Sequence, residues 1–80
     1  MTDGILHDTI VVVSKPGCVQ CNAVYRRLDE AGVDYVVVDA SEDDYWRDKL
    51  VENNIQRVPV TIKGDTWIKG YDPDALDRLF

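Results

Sequence analysis

Thr9-Ile10-Val11-Val12-Val13 is an unbroken β-branched and apolar run, the pattern of a strand covered on both faces. Lys15-Pro16-Gly17 interrupts it, because proline and glycine in succession turn the chain. From Cys18 the apolar period lengthens. Cys21, Val24, Leu28 and Ala31 stand at helical spacing, while Arg26, Arg27, Asp29 and Glu30 fall elsewhere, so this segment predicts an amphipathic helix. Gly32 supplies the expected C-terminal stop. Tyr35-Val36-Val37-Val38 predicts a second buried strand. Two such strands joined by one helix make a parallel βαβ unit with a right-handed crossover.

The second half of the chain is punctuated by capping residues. Ser41 reads as an N-cap, with Glu42, Asp43 and Asp44 in the first turn, where negative charge suits the helix dipole. Trp46 and Leu50, with Val51 beside them, supply the buried stripe of that helix, and Asn53-Asn54 ends it. Val58-Pro59-Val60-Thr61-Ile62 is a strand opened by proline, Gly64-Asp65 is a turn, and Thr66-Trp67-Ile68-Lys69 is a short return strand; together they predict a hairpin. In Asp72-Pro73-Asp74, Asp72 caps, Pro73 fits the first helical position and Asp74 suits the dipole. Ala75, Leu76, Leu79 and Phe80 form the apolar face of a final short helix. The order β-α-β-α-β-β-α describes an α/β fold, with a four-stranded mixed sheet flanked by three helices.

Length and charge narrow the function. At 80 residues the chain has room for one modest core, and residues 9–80 are expected to form a single domain behind a flexible lead-in at residues 1–8. Met1-Thr2-Asp3-Gly4-Ile5-Leu6-His7-Asp8 has no apolar h-region, and no apolar run approaches the roughly 20 residues needed to cross a bilayer. Nine Lys and Arg against fifteen Asp and Glu give a formal net charge of −6. That balance repels a phosphate backbone, so neither nucleic acid nor an anionic membrane is an expected partner. A soluble monomer is expected.

The two cysteines are too few for a disulfide scaffold. They sit in one cluster, Cys18-Val19-Gln20-Cys21, where a bond would close too short a loop to stabilise the fold much. Cys18 falls at the junction of a buried strand and a helix N-terminus. Unpaired backbone N–H groups and the helix dipole stabilise a thiolate there, and Lys15 adds positive charge nearby. Free cysteine titrates at about 8.5, and such surroundings lower it to roughly 3.5–7.5. Cys21 lies one turn in, on the stripe of Val24 and Leu28, so it is expected to be buried and to keep its proton longer. An exposed nucleophile, Cys18, and a buried resolving Cys21 form the asymmetry that dithiol exchange needs. A transient bond of this kind belongs to a reducing compartment, the cytoplasm. Other readings of the pair exist. A zinc site needs two further ligands, and the only histidine, His7, lies in the lead-in. An iron–sulfur cluster shared across a dimer and two inert core cysteines complete the alternatives.

A C-x-x-C at a strand-to-helix junction inside a βαβ unit resembles the active site of the thioredoxin-like superfamily in its short glutaredoxin branch. The resemblance covers about residues 9–80. Cys18-Val19-Gln20-Cys21 matches the active-site position, and Val58-Pro59 matches the family's cis-proline before its third strand. Gly70-Tyr71-Asp72 corresponds to the partner-binding loop near the last helix. Within the branch, Val19-Gln20 and the following Asn22-Ala23 look most like the NrdH-redoxins, which accept electrons from thioredoxin reductase and pass them to a class Ib ribonucleotide reductase. Trp67, Gly70-Tyr71 and Pro73-Asp74 resemble the Trp-Ser-Gly-Phe-Arg-Pro-Asp signature of those proteins, with one extra residue after Trp67 and Asp72 where the signature has arginine. Lys69-Gly70-Tyr71-Asp72 also resembles the Gly-Gly-x-Asp loop with which glutaredoxins hold glutathione. The resemblance therefore implies a dithiol-disulfide oxidoreductase with no bound cofactor, its Cys18–Cys21 pair recharged from NADPH through thioredoxin reductase or, alternatively, by glutathione. The acceptor it implies is a disulfide-bearing protein such as ribonucleotide reductase. A cis bond at Pro59 would aim the backbone N–H and C=O of Val58 outward beside Cys18, where an extended peptide or glutathione pairs as a short extra strand.

The candidate binding surface around the cysteines is thus Lys15, Val19, Gln20, Arg57, Val58, Pro59, Gly70, Tyr71 and Asp72. Arg57 either steers an anionic ligand and lowers the Cys18 pKa or is a solvated loop charge. Trp46 is expected in the core, and Trp67 and Tyr71 either in the core or on an apolar docking rim. Glu42-Asp43-Asp44 is helix-start chemistry, since consecutive residues do not converge on one helical face.

Overall fold

In the computed structural model residues 9–79 are described. The lead-in expected at residues 1–8, with His7, and Phe80 of the last helix lie outside them. Seven elements follow the expected order: β1 (Ile10–Ser14), α1 (Val19–Ala31), β2 (Tyr35–Asp39), α2 (Asp44–Glu52), β3 (Val60–Lys63), β4 (Thr66–Lys69) and α3 (Pro73–Asp77). β1 runs parallel to β2 and antiparallel to β3, and β4 is antiparallel to β3. The sheet is therefore mixed, in the order β2-β1-β3-β4, with β1 at its centre as its apolar run requires.

Successive residues of a strand face opposite sides of the sheet, and β1 divides the core accordingly. Ile10 and Val12 point to one side and pack with Val24 and Leu28 of α1, Ile68 of β4, and Leu76 and Leu79 at the C-terminal end. Val13 points to the other side and packs with Leu50 of α2, Ile55, Val60 and Ile62. Helices α1 and α3 thus share one face, and α2 covers the opposite one. The Arg27 guanidinium of α1 grips Asp77 of α3 through two hydrogen bonds, Nε to Oδ1 at 2.9 Å and Nη2 to Oδ2 at 2.5 Å. That bond first, and the Asp77 charge second, raise the Arg27 pKa above its ordinary value. Gly32 closes α1 in the left-handed region, φ 71°, with its N–H bonded to the Asp29 carbonyl, a conformation that costs a residue with a Cβ roughly 1–2 kcal/mol.

Four expectations need correction. β2 was expected to be buried, yet Val36 and Val37 are about half exposed. It is an edge strand, and the buried strand residues of the two core layers come from β1, β3 and β4, leaving β2 partly open. Ser41 does not cap α2. The Asp39 carboxylate takes the Ser41 N–H at 2.8 Å and its hydroxyl at 2.6 Å, folding the chain into a turn. The cap passes to Asp43, whose side chain accepts the Trp46 N–H at 3.2 Å. Val51 is 71% exposed because it lies off the stripe that buries Leu50, while Trp46 is half-buried against the α2-side core. Ala31, at the last turn of α1, is exposed on the rim of a shallow hollow shared with Asp77 of α3.

The capping geometry fixes a difference between two neighbouring residues. Asp43→Ala is expected to lower the unfolding free energy by about 1 kcal/mol in a urea titration, with Ser41→Ala costing less. The reverse ranking would return the cap to Ser41.

Candidate functional site

The strand-to-helix junction is built by local constraints. β1 ends at Ser14 in the buried sheet, and Pro16-Gly17 turns the chain, with Gly17 at φ 78°, a value that favours glycine. This delivers Cys18 to the N-cap of α1 in an extended conformation, φ −87° and ψ 109°. Its Sγ accepts the backbone N–H of Cys21 at 3.2 Å. A sulfur therefore occupies the place usually held by a Ser or Asp oxygen, at the positive end of a thirteen-residue helix. Cys18 and Cys21 are joined as a disulfide, with Cα atoms 5.3 Å apart, inside the usual span for such a bond.

The two sulfurs face different surroundings. Cys18 is half-buried, whereas Cys21 is 2% exposed and belongs to the stripe of Val24 and Leu28. Across from Cys18, the Val58 carbonyl oxygen lies 3.8 Å from its Sγ. Val58 stands immediately before Pro59, and the bond between them is cis. Pro59 is buried, and its carbonyl accepts the Gly70 N–H at 2.8 Å. That bond ties the end of β4 to the Val58-Pro59 corner. Gly70 also lies beside Gln20 on α1: a Cβ built there would sit 3.6 Å from Gln20 Oε1.

Two grooves flank the disulfide. The first, of about 480 Å³, brings together Lys15, Cys18, Val19, Gln20, Arg57, Val58 and Gly70, all singled out from the sequence. It adds Gln56 and Lys69, which were not. Their signal was adjacency to Arg57 and Gly70, but only the fold brings these two loops to one place. Val19 stands 81% exposed on the rim. The second groove, of about 500 Å³, reaches Cys21 from the other side, between α1 and β2, past Asn22, Tyr25 and Asp39. Tyr25 stacks on Tyr35 at 5.9 Å, and the Tyr35 hydroxyl donates to Asp29 at 2.9 Å. Burial, and then that bond, raise the Tyr35 pKa, so the phenol keeps its proton at neutral pH.

Tyr71 and Asp72 do not line either groove. Tyr71 is substantially exposed, and the Asp72 carboxylate is engaged as the N-cap of α3, accepting the Ala75 N–H at 3.1 Å. Trp67 packs, half-buried, against the α2-side core. Among the described residues, no group of three His, Cys, Asp or Glu side chains converges to hold a metal ion, and no helix is long and apolar enough to cross a membrane.

A half-buried, groove-facing sulfur at a helix N-cap, bonded to a buried sulfur one turn in, is an arrangement for exchanging disulfides with other molecules. Known proteins agree with that reading. The glutaredoxin family model matches residues 10–68. The glutaredoxin-like protein NrdH of Escherichia coli is 29% identical over 70 residues, covering 88% of this chain and 86% of that protein. The gene 56 protein of Mycobacterium phage L5 is 37% identical over 73 residues, covering 88% of this chain and 70% of that one. The solved structure of NrdH-redoxin from Escherichia coli superposes with a TM-score of 0.85 at 28% identity, over 90% of this chain and 95% of that one. With the sheet order and the placement of the cysteine pair, these matches make the chain a member of the glutaredoxin family, a thiol-disulfide oxidoreductase on the thioredoxin fold.

Proposed function

We propose that the protein is an NrdH-redoxin-type electron carrier, in which Cys18 is the nucleophile and Cys21 the resolving thiol. The observation that carries this reading is the difference in access between the two sulfurs: Cys18 is half-exposed at the helix N-cap and Cys21 is 2% exposed within the helix. In the reduced protein the Cys18 thiolate attacks one sulfur of a substrate disulfide. That S–S bond breaks, a mixed disulfide forms, and the departing thiolate takes a proton. Cys21 then loses its proton and attacks Cys18 Sγ. The Cys18–Cys21 bond closes, the second substrate thiol leaves, and two electrons have passed to the substrate.

An extended substrate has a backbone partner beside the nucleophile. Val58 makes no hydrogen bond to another backbone group among the described residues, its carbonyl having only the Cys18 sulfur at 3.8 Å beside it, so its N–H and C=O can pair with a peptide strand. Resetting the carrier requires a two-electron thiol reductant, one dithiol or two monothiols, and thioredoxin reductase drawing on NADPH fits best. Two features support it over glutathione. The Val19-Gln20 pair follows the NrdH-redoxin pattern, and Asp72, the candidate γ-glutamyl ligand, is engaged in capping α3 away from the groove. The relative from Escherichia coli is described as having a thioredoxin-like activity profile. A disulfide-bearing protein such as ribonucleotide reductase is the acceptor this reading implies, and the cytoplasm its compartment.

Substitutions separate the two sulfurs. Cys18→Ser is expected to abolish reduction of a protein disulfide, a loss of at least about 10³-fold, as for other essential covalent groups. Cys21→Ser is expected to accumulate mixed disulfides visible by intact mass. Full activity in Cys18→Ser would reassign the nucleophile.

The donor is read by NADPH oxidation with a disulfide substrate under two conditions. Turnover is expected with thioredoxin reductase in the absence of glutathione, and not with glutathione plus glutathione reductase. Turnover confined to the glutathione arm would make the protein a glutathione-dependent glutaredoxin.

A further inference from the structure

The charges on the Val58 side of the disulfide run against those of the whole chain. Fifteen Asp and Glu outnumber nine Lys and Arg, yet no carboxylate lines the groove between Cys18 and Val58, while Lys15, Arg57 and Lys69 all do; the groove on the Cys21 side, by contrast, holds Asp39. Of the other cations, Arg27 and Lys49, and Arg47 in the adjoining pocket, are held in ion pairs with Asp77, Glu52 and Asp44, while Arg26, Lys63 and Arg78 have no carboxylate partner among the described residues but lie outside the groove. The three groove cations pair with no carboxylate among the described residues. Like-signed side chains gathered on one groove repel each other, and the carboxylates that would quiet them are absent from its walls. An anionic ligand supplies that charge.

The groove does not end at Arg57. Lys15, Gln56, Arg57 and Val58 are shared with an adjoining pocket of about 260 Å³ floored by Leu50 and Ile55. That pocket too has no carboxylate in its lining. Apolar atoms dominate its surface, and Val51, 71% exposed, stands at its rim. The combined surface runs from the disulfide past Val58 to α2. It presents a cationic stretch and then an apolar hollow.

Resting on the proposed dithiol function, we infer that this surface selects disulfide partners whose cysteine lies in an extended, acidic peptide segment carrying an apolar side chain. The cysteine sits over Cys18, the acidic residues lie against Lys15, Arg57 and Lys69, and the apolar side chain enters the hollow over Leu50 and Ile55. Lys69 is the discriminating residue: it stands at the end of β4, directly before the glycine that clamps Pro59, and sets the sign of the groove on the side facing Gln20.

The test is a single turnover, so that the donor does not enter. Pre-reduced protein is mixed with disulfide-linked peptides of one sequence that differ only in their flanking residues, Glu-Leu, Lys-Leu or Glu-Ser. One protein dithiol reduces one peptide disulfide to two thiols, and a small neutral disulfide, hydroxyethyl disulfide, is the reference. The Glu-Leu peptide is expected to react about tenfold or more faster than the Lys-Leu peptide at low salt, with the gap closing as ionic strength rises. Glu-Ser is expected to fall between them. Lys69→Glu should shrink the Glu-to-Lys ratio at least about threefold, and Lys69→Gln should do so by less, in line with the charge change. Lys69 is exposed on an edge strand, and the salt dependence of the unmodified protein needs no variant at all. Equal rates for Glu-Leu and Lys-Leu, with hydroxyethyl disulfide still reduced, would overturn the inference and leave the oxidoreductase standing. Glutathione disulfide reduced in preference to every peptide would overturn it in favour of a glutathione groove. Failure to reduce any disulfide would overturn both readings.

Discussion

The backbone N–H of Cys21 donates to Cys18 Sγ at 3.2 Å, and the surrounding fold holds those two atoms in place. A sulfur at an N-cap meets unsatisfied N–H groups and the positive end of the helix dipole, both of which favour the thiolate over the thiol. That placement depends on β1 being buried at the centre of the sheet, on the Gly17 turn that ends it, and on Val24 and Leu28 anchoring α1 to the sheet. A shift of α1 along its axis would move the sulfur out of register with Val58. The core beneath the helix therefore positions the redox sulfur, although its residues are buried away from the groove.

The same helix makes the two cysteines unequal. Cys18 precedes its first turn and faces the groove, while Cys21 falls on the stripe that the sheet buries. Opposite the groove, Gly70 binds Pro59 and so brings the β3–β4 hairpin against the loop that carries Arg57 and Val58. Three separate stretches of chain meet around one sulfur, and each contributes a cation. In a protein of net charge −6, a groove lined by three cations and no carboxylate is suited to steering the approach and orientation of partners more than to holding them tightly.

Much of this architecture was legible in the sequence because its signals are local. The β-branched run before Pro16-Gly17, the helical spacing from Cys21 to Leu28, and Gly32 at the stop each correspond to one element. Misreadings arose where a local signal permitted two outcomes. Tyr35-Val38 is a strand by composition, but composition does not say whether a strand lies at the centre or the edge of a sheet. Ser41 and Asp43 both suit an N-cap, and the Asp39 turn decides between them. The candidate site divides in the same way. Cys18 and Cys21 announce themselves by spacing, whereas the convergence of Gln56, Lys69 and Lys15 is a tertiary fact with no counterpart along the chain. Asp72 carries a capping signal and a ligand-loop resemblance at once, and in the structure its carboxylate serves as the cap.

The measurement that bears most directly on the Cys18 site is the rate of iodoacetamide alkylation of the fully reduced protein as a function of pH, with the modified residue located by mass spectrometry. Cys18 is expected to react first, with its rate reaching half its plateau well below 8.5, in the range of about 3.5–7.5 expected of a thiolate at a helix N-terminus. A midpoint at or above 8.5, or modification of Cys21 ahead of Cys18, would contradict it.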